Sequence, residues 1–365
     1  MTILVVLSGC SSPPETGLSL AEALSVDTTG FARARPGYAM QFPRDHGPHP
    51  DFYLEWWYFT GNVQSTDGDP YGYQFTIFRN ALAPPAAEAG ALSEWSTRQL
   101  YSAHLAISHP TGDRFMSAER IARGAAGLAG ARATEEGLKV WVEDWSVDGT
   151  PDLSRVHIEA GEPDFGLSLD LRPTKPIFQQ GEKGYSPKGF GDAQASHYYS
   201  ITRLATEGTI QIGLDTIRVA GQSWFDREWS TSLLSEGQSG WDWFSLQLDQ
   251  DQDLMYFRLR SATDNQYVDG SLVGPDGGGL PLDPARIQMR PTDYWRSPAT
   301  NVEYPIAWTM SVPEHKLEMV IEAVLPNQEL DTRIRYWEGS VSVSGTRGGA
   351  PMSGRGYVEL TGYTP

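Results

Sequence analysis

The sequence predicts an all-β chain of two tandem domains, each an antiparallel sheet curled towards a barrel, and three observations carry that prediction. Charged residues make up only 20% and aromatics 11%, with 12 Trp, 38 Gly and 25 Pro, a profile of many short strands between turns rather than of long charged helices. Closely spaced runs that alternate, or that are rich in β-branched and aromatic residues, are bounded by Gly, Pro, Asp or Asn, and no helical periodicity dominates. An aromatic hairpin motif occurs twice. A chain of 365 residues also exceeds one small core and suits two domains of roughly 100–200 residues each.

Met1 to Leu7 is apolar and leads through Ser8 and Gly9 to Cys10, the only cysteine. Leu7-Ser8-Gly9-Cys10 reads as a lipobox, in which small residues precede the cut and the thiol takes a diacylglyceryl group. Acyl chains would then anchor the chain on the periplasmic side of a bacterial membrane, the outer one being expected, without a spanning helix. The basic residues that usually precede the apolar run of a signal peptide do not occur here. Ser11 to Thr16 reads as a tether, and Leu18 to Leu24 as one short helical turn. Residues 1–30 are therefore expected to be signal remnant and tether.

The first domain, residues 31–230, is expected to hold strands at Tyr53–Val63, Tyr71–Arg79, Tyr101–Ser108, Leu138–Val147, Val156–Ala160, Leu167–Leu171, Tyr198–Leu204, Thr216–Val219 and Gln222–Trp229. The second, residues 231–365, is expected to hold strands at Trp241–Leu248, Leu254–Arg260, Tyr267–Val273, Ala307–Val312, Leu317–Val324, Tyr336–Gly345 and Gly356–Thr361. Curling into a barrel or sandwich removes exposed strand edges. The boundary follows from the repeat: Trp56-Trp57-Tyr58-Phe59-Thr60-Gly61-Asn62-Val63 aligns with Trp241-Asp242-Trp243-Phe244-Ser245-Leu246-Gln247-Leu248. Each copy precedes an Asp-containing turn and a second strand ending in arginine, Arg79 or Arg260.

Charge excludes some partners. A net charge of −18, from 28 basic and 46 acidic residues, repels a phosphate backbone and offers no broad basic surface, so nucleic acid is not an expected partner. No metal-ligand spacing, serine-nucleophile elbow, phosphate-binding loop or dinucleotide fingerprint occurs, so neither a metal nor another cofactor is expected.

Two segments carry candidate chemistry. In Gly221 to Trp229, strand alternation puts Trp224, Asp226 and Glu228 on one face and Phe225, Arg227 and Trp229 on the other. Two carboxyls beside an indole in an apolar setting should hold one proton near neutrality, which alkene protonation requires. The alternative is that Asp226 or Glu228 pairs with Arg203 or Arg227 and buttresses the sheet. In His49 to Tyr58, Glu55, Trp57 and Phe59 face one way and Trp56, Tyr58 and Thr60 the other. Rings on either face suit a long apolar ligand or a carbocation. A buried Glu55 needs a partner.

These segments, with Tyr198-Tyr199-Ser200 and Arg203, Gly240 to Phe244, Tyr336-Trp337-Glu338-Gly339 and Gly356 to Tyr363, make the chain from about Tyr38 onward resemble the AttH and carotenoid 1,2-hydratase (hydroxyneurosporene synthase) family. The resemblance implies two lipocalin-like β-barrel domains and, for the carotenoid branch, addition of water to a terminal double bond of an acyclic carotenoid. Carried over by residue, it implies Asp226 as proton donor, Tyr199 or Tyr58 as the group that orients water or steadies the cation, and Glu228 and Glu55 as candidate bases. Trp56, Trp57, Tyr58, His104, Trp224, Trp241 and Trp243 are the expected ligand-binding residues. The resulting expectation is a lipid-anchored protein that binds a hydrophobic small molecule, an isoprenoid or lipid, and hydrates it. A non-enzymatic lipid carrier is the alternative. A third reading is a lipophile hydrolase using Ser200 or Ser223 with His104 or His197.

Overall fold

The computed structural model describes residues 27–85, 96–191, 194–231, 234, 237–261 and 266–365. Cys10 and the tether lie outside the described residues. The first sheet holds β1 (Leu54–Ser65), β2 (Pro70–Ala81), β3 (Gln99–His109), β4 (Arg114–Arg123), β5 (Ala129–Thr134), β6 (Gly137–Val142), β7 (Trp145–Gly149), β8 (Val156–Glu162), β9 (Phe165–Pro173), β10 (Phe178–Gln179), β11 (Tyr185–Pro187), β12 (Ala195–Ile212) and β13 (Asp215–Ser230). The second holds β14 (Gln238–Leu248), β15 (Gln252–Ser261), β16 (Tyr267–Val273), β17 (Gly279–Pro281), β18 (Gln288–Arg296), β19 (Glu303–Val312), β20 (Leu317–Ala323), β21 (Glu329–Leu330), β22 (Tyr336–Arg347) and β23 (Ala350–Thr361).

Pairing is antiparallel throughout the first sheet, in the order β4-β3-β2-β1-β13-β12-β9-β8-β7-β6-β5, with β10 and β11 also on β12. The second sheet runs β17-β16-β15-β14-β23-β22-β20-β19-β18. The opening hairpin of each half thus pairs with that half's last strand: β1 with β13, and β14 with β23.

Each sheet curls around its own core, giving the two tandem barrel-like units expected. Trp57, Phe59, Phe75 and Ile77 share one core with Val140, Trp145, Leu169 and Phe225, so residues from both ends of the first sheet meet inside it. Arg120 on β4 closes the gap by donating to Glu162 Oε1 and to the Gly161 carbonyl, both at 3.0 Å, while lying over the Trp145 ring. Gly61 has a specific steric reason, because a Cβ there would sit 2.3 Å from the Tyr73 ring across the β1–β2 ladder. The second core gathers Phe244, Leu254, Trp308, Ile321, Trp337 and Val358. Both interiors are filled by side chains.

Several elements differ from the sequence reading. Leu138–Val147 is two strands, since Glu143 takes φ 57° and turns the chain between β6 and β7. Thr216–Val219 and Gln222–Trp229 are one strand, β13. Strands β4, β5 and β18 escape pattern reading because they are half-buried or exposed and rich in Arg, Ala or polar residues, which blurs alternation.

Two contacts lock the halves together away from the cores. Asp253 of β15 accepts from Lys175 Nζ at 2.6 Å and from Arg203 Nε at 2.8 Å. Inside the first unit, Glu55 is fully buried and paired with both Arg79 and Arg227. Burial alone would oppose its ionisation, but the two guanidinium charges and His49 outweigh it and hold the carboxyl below its usual range. Arg227 also donates to the carbonyl of Gly47 at 2.6 Å and lies 4.0 Å over the Trp57 ring. Replacing Glu55 with Ala leaves two buried cations without their anion, so urea unfolding is expected to show a loss of about 3–5 kcal/mol. A loss below about 1 kcal/mol, the range of an exposed pair, would contradict a structural role.

Candidate functional site

The alternation of β1 and β13 gives each strand a core face and a face turned to the other unit. Trp57, Phe59, Phe225 and Trp229 fill the first core. Their neighbours Trp56, Tyr58, Trp224, Asp226 and Glu228 point the other way, towards β14, β15 and β23. A separate apolar cluster forms there from Tyr58, Tyr198, Trp224, Trp243, Met255, Phe257, Leu259 and Tyr357. This seam encloses a cavity of about 410 Å³, lined from the first unit by Trp56, Tyr58, Phe78, His104, Tyr198, Asp226 and Glu228, and from the second by Trp241, Trp243, Phe257, Tyr336 and Glu359. The cavity is therefore in neither barrel interior. A second hollow of about 420 Å³ on β5 to β8 is lined mainly by polar and charged groups. Its Lys139 pairs with Asp148 at 3.2 Å, and its Arg155 with Asp170 at 2.9 Å.

Three donors fix Asp226. Its Oδ1 accepts from Trp224 Nε1 at 2.8 Å and from Ser200 Oγ at 2.5 Å, and its Oδ2 accepts from Tyr198 Oη at 2.9 Å. Trp243 Nε1 in turn donates to Tyr198 Oη at 3.3 Å. No cation is bonded to the Asp226 carboxyl among the described residues. Burial raises its pKa, the three hydrogen bonds pull it back, and the nearby Glu228 charge adds to the rise, leaving it at about 7. Glu228 is paired with Lys188, 3.0 Å from Oε1, and the Lys188 ammonium also lies 4.2 Å over Phe257 and 4.9 Å over Tyr198.

The facing sheet contributes two more acids. Glu359 accepts from Trp241 Nε1 at 2.9 Å, and burial with the charges of Glu228 and Asp226 raises it to about 7 despite that bond. Glu338, opposite it on β22, accepts from Tyr58 Oη across the seam and is pushed well above the carboxylate range by burial and by Glu359. His104, also on the cavity wall, contacts Tyr336 Oη at 2.7 Å and Glu119 at 3.2 Å. Such a site can hold a proton on a neutral carboxyl beside indole faces, the requirement for protonating an uncharged, apolar substrate.

The structure brings together Asp226, Glu228, Trp56, Tyr58, His104, Trp224, Trp241 and Trp243. It separates Glu55, Trp57 and Tyr199 from them, which corrects three of the expected assignments. Glu55 serves the buried arginine network, Trp57 packs in the first core and donates to the His46 carbonyl at 2.8 Å, and Tyr199 contacts His46 at 2.6 Å on the core face. The expected arginine alternatives for Asp226 and Glu228 do not form: Arg203 serves Asp253 and Arg227 serves Glu55. Ser200 is committed to Asp226, while Ser223 contacts Tyr73 and Thr206. Among the described residues no Ser–His hydrogen bond forms, and no cluster of three or more His, Cys, Asp or Glu is arranged to hold a metal. Sequence reasoning missed Tyr198, Lys188, Glu338 and Glu359 as site residues. Extending the hairpin alignment to each unit's last strand would have found Glu359.

Raised carboxyls leave a signature in stability. Between the unfolded value of 3.8 and the folded value of about 7 for Asp226, the folded state holds the extra proton, so stability falls as pH rises through that window. Every tenfold gain in proton affinity on folding corresponds to about 1.4 kcal/mol. Asp226→Asn is expected to flatten the decline between pH 4 and 7 in urea titrations. An unchanged slope would mean that Asp226 ionises normally.

Similar proteins agree with the fold. A crystal structure of an AttH from Nitrosomonas europaea superposes with TM-score 0.80 at 37% identity, covering 92% of this chain and 100% of that one. Kievitone hydratase from Nectria haematococca superposes with TM-score 0.69 at 15% identity, covering 92% and 97%. The dehydratase asqC of Emericella nidulans is 22% identical over 236 residues, 57% of this chain and 62% of that protein, so the chain spans less than two thirds of that relative's length. The AttH-like family model matches residues 33–363, and the chain belongs to that family.

Proposed function

We propose that this protein is a hydro-lyase that adds water to a carbon–carbon double bond of an elongated apolar molecule of the isoprenoid class, or removes it in the reverse direction. The observation that carries this reading is Asp226: a buried carboxyl with pKa raised to about 7 on the wall of a cavity lined by aromatic side chains. The hydratase and dehydratase names of two similar proteins support the same reaction class.

In this mechanism the neutral Asp226 carboxyl gives its proton to one alkene carbon, and the π electrons form the new C–H bond. The cation left on the adjacent carbon is flanked by indoles. Trp56, Trp241 and Trp243 line the cavity, and cation–π attraction is worth on the order of 2 kcal/mol when water is excluded. Water then forms the C–O bond and releases a proton to a cavity carboxylate. Tyr198 holds the Asp226 carboxyl in place through a bond from its own hydroxyl. Glu228 is paired with the Lys188 ammonium, which itself lines the cavity, so the two charges offset each other there. The carotenoid end group implied by the resemblance fits this reaction as one member of the substrate class. An acylated Cys10 would place the cavity near the membrane that supplies such a molecule.

The test is hydration of acyclic isoprenoids carrying a terminal isopropylidene group, followed by mass spectrometry in H₂¹⁸O. Wild-type protein is expected to yield the labelled tertiary alcohol, and Asp226→Asn to lower the rate by about 10²–10⁴-fold, the usual contribution of a positioned acid. Equal rates for the two proteins would remove Asp226 as the proton donor. Binding of the isoprenoid with no product from either protein would instead favour a carrier.

A further inference from the structure

We propose that Glu359, facing Asp226 across the seam, is a second catalytic residue, the base that takes the proton from the attacking water. This rests on the hydro-lyase reading. The repeated hairpin and its matching register supply the geometric argument. On the first sheet, cross-strand partners form the row Thr76, Tyr58, Asp226 and Ser200 on β2, β1, β13 and β12. On the second, the row is Phe257, Trp243, Glu359 and Glu338 on β15, β14, β23 and β22. The hairpin alignment sets Tyr58 against Trp243, so register alone makes Glu359 the counterpart of Asp226. Two residues earlier on each opening strand the correspondence continues, with Trp56 opposite Glu228 and the backbone N–H of Trp241 donating to Thr361 Oγ1 at 3.0 Å.

The two rows face each other through reciprocal bonds. Tyr58 of the first sheet donates to Glu338 of the second, and Trp243 of the second donates to Tyr198 of the first. An acid from each half therefore lines the same cavity, supported by different indole donors: Trp224 for Asp226 and Trp241 for Glu359. Glu359 Oε2 takes the Trp241 bond, and among the described residues Oε1 has no hydrogen-bond partner, which leaves it available to a water. Glu228, the other cavity carboxyl on the first sheet, is held by Lys188 instead.

The proton balance closes. Asp226 gives a proton to carbon and becomes a carboxylate; water bonds to the cation; the resulting oxonium gives a proton to the Glu359 carboxylate. Return of that proton to Asp226 through water restores the starting state, and dehydration uses the same groups in reversed roles. A site holding one proton between two such carboxyls works in a pH window bounded on both sides. The ionisable groups that set it are Glu338 on β22, Tyr58 on β1, Tyr198 on β12, Glu228 on β13 with its Lys188 partner, and the two acids themselves.

Two measurements on the full chain decide the matter. The first follows ¹⁸O incorporation from labelled water into farnesol across pH. Wild type and Glu359→Asp are expected to give a bell-shaped kcat/KM profile. Glu359→Gln is expected to lose about 10²-fold in kcat together with the acidic limb of the bell. Retention of the wild-type rate and bell by Glu359→Gln overturns the proposal. If wild type adds no ¹⁸O to farnesol, the hydro-lyase reading fails for that probe, and the second measurement still tests the pairing. In ¹³C NMR titration of labelled carboxyls, two groups are expected to titrate near neutrality, and Asp226→Asn is expected to lower the midpoint of Glu359. A Glu359 midpoint in the ordinary carboxylate range, unmoved by Asp226→Asn, overturns the proposal without reference to turnover.

Discussion

A carboxylate taken out of water must either find a cation or keep its proton, and the organisation of this protein follows from where each choice is made. Glu55 and Asp226 lie on neighbouring strands, three positions apart in the β1–β13 ladder, since Glu55 faces Trp229 and Asp226 faces Tyr58. Both are buried. Glu55 points into the first core and meets two guanidinium groups, so its charge is neutralised and fixed. Asp226 points into the seam and meets two hydroxyls and an indole N–H, which orient it but supply no opposite charge. Hydrogen bonds alone do not repay the desolvation, and the proton stays. One carboxyl is thereby a structural anion and the other an acid.

Why the site falls between the units rather than inside one follows from packing. Each curled sheet fills its interior with large rings and branched side chains, as Trp57, Phe59 and Trp145 do in the first and Phe244, Trp308 and Trp337 in the second. Interiors built this way pack densely. The outer faces of the two opening hairpins are also aromatic, and unshielded they would form an exposed apolar patch. Packing them against each other removes that patch, and the imperfect fit between two broad ring-covered faces leaves the cavity. The Asp253 ion cluster and the Tyr58–Glu338 and His104–Tyr336 contacts then hold the spacing.

The sequence revealed the face but not its surroundings. Strand alternation correctly groups Trp224 with Asp226 and Glu228, and Trp56 with Tyr58, because a period of two is a property of the backbone alone. It does not say which of the two faces turns towards a core, since both are aromatic, and for that reason the sequence alone cannot separate Glu55, Trp57 and Tyr199 from the site. All-β class and the two-hairpin repeat are legible from composition and local pattern. Strands β4, β5 and β18 are not, because half-buried strands rich in Ala and Arg carry little alternation. Lys188 is illegible for a different reason: its partner Glu228 is 40 residues away in the chain, and only the fold brings them together.

The repeated hairpin topology also accounts for one cavity holding several acids. Had both halves kept the same residues, the facing rows would repeat each other, and an acid in one would face an identical acid in the other. Instead the rows differ: Ser200 stands where the second row has Glu338, and Tyr58 where it has Trp243. The hydroxyl of Ser200 makes Asp226 easier to ionise, whereas Glu338 meets no cation and is kept neutral by burial and by the charge of Glu359 beside it. The different residues at these two positions make the two sides of the seam chemically distinct. Asp226 and Glu359 therefore stand in different settings, the first bonded by two hydroxyls and the second beside the buried carboxyl of Glu338.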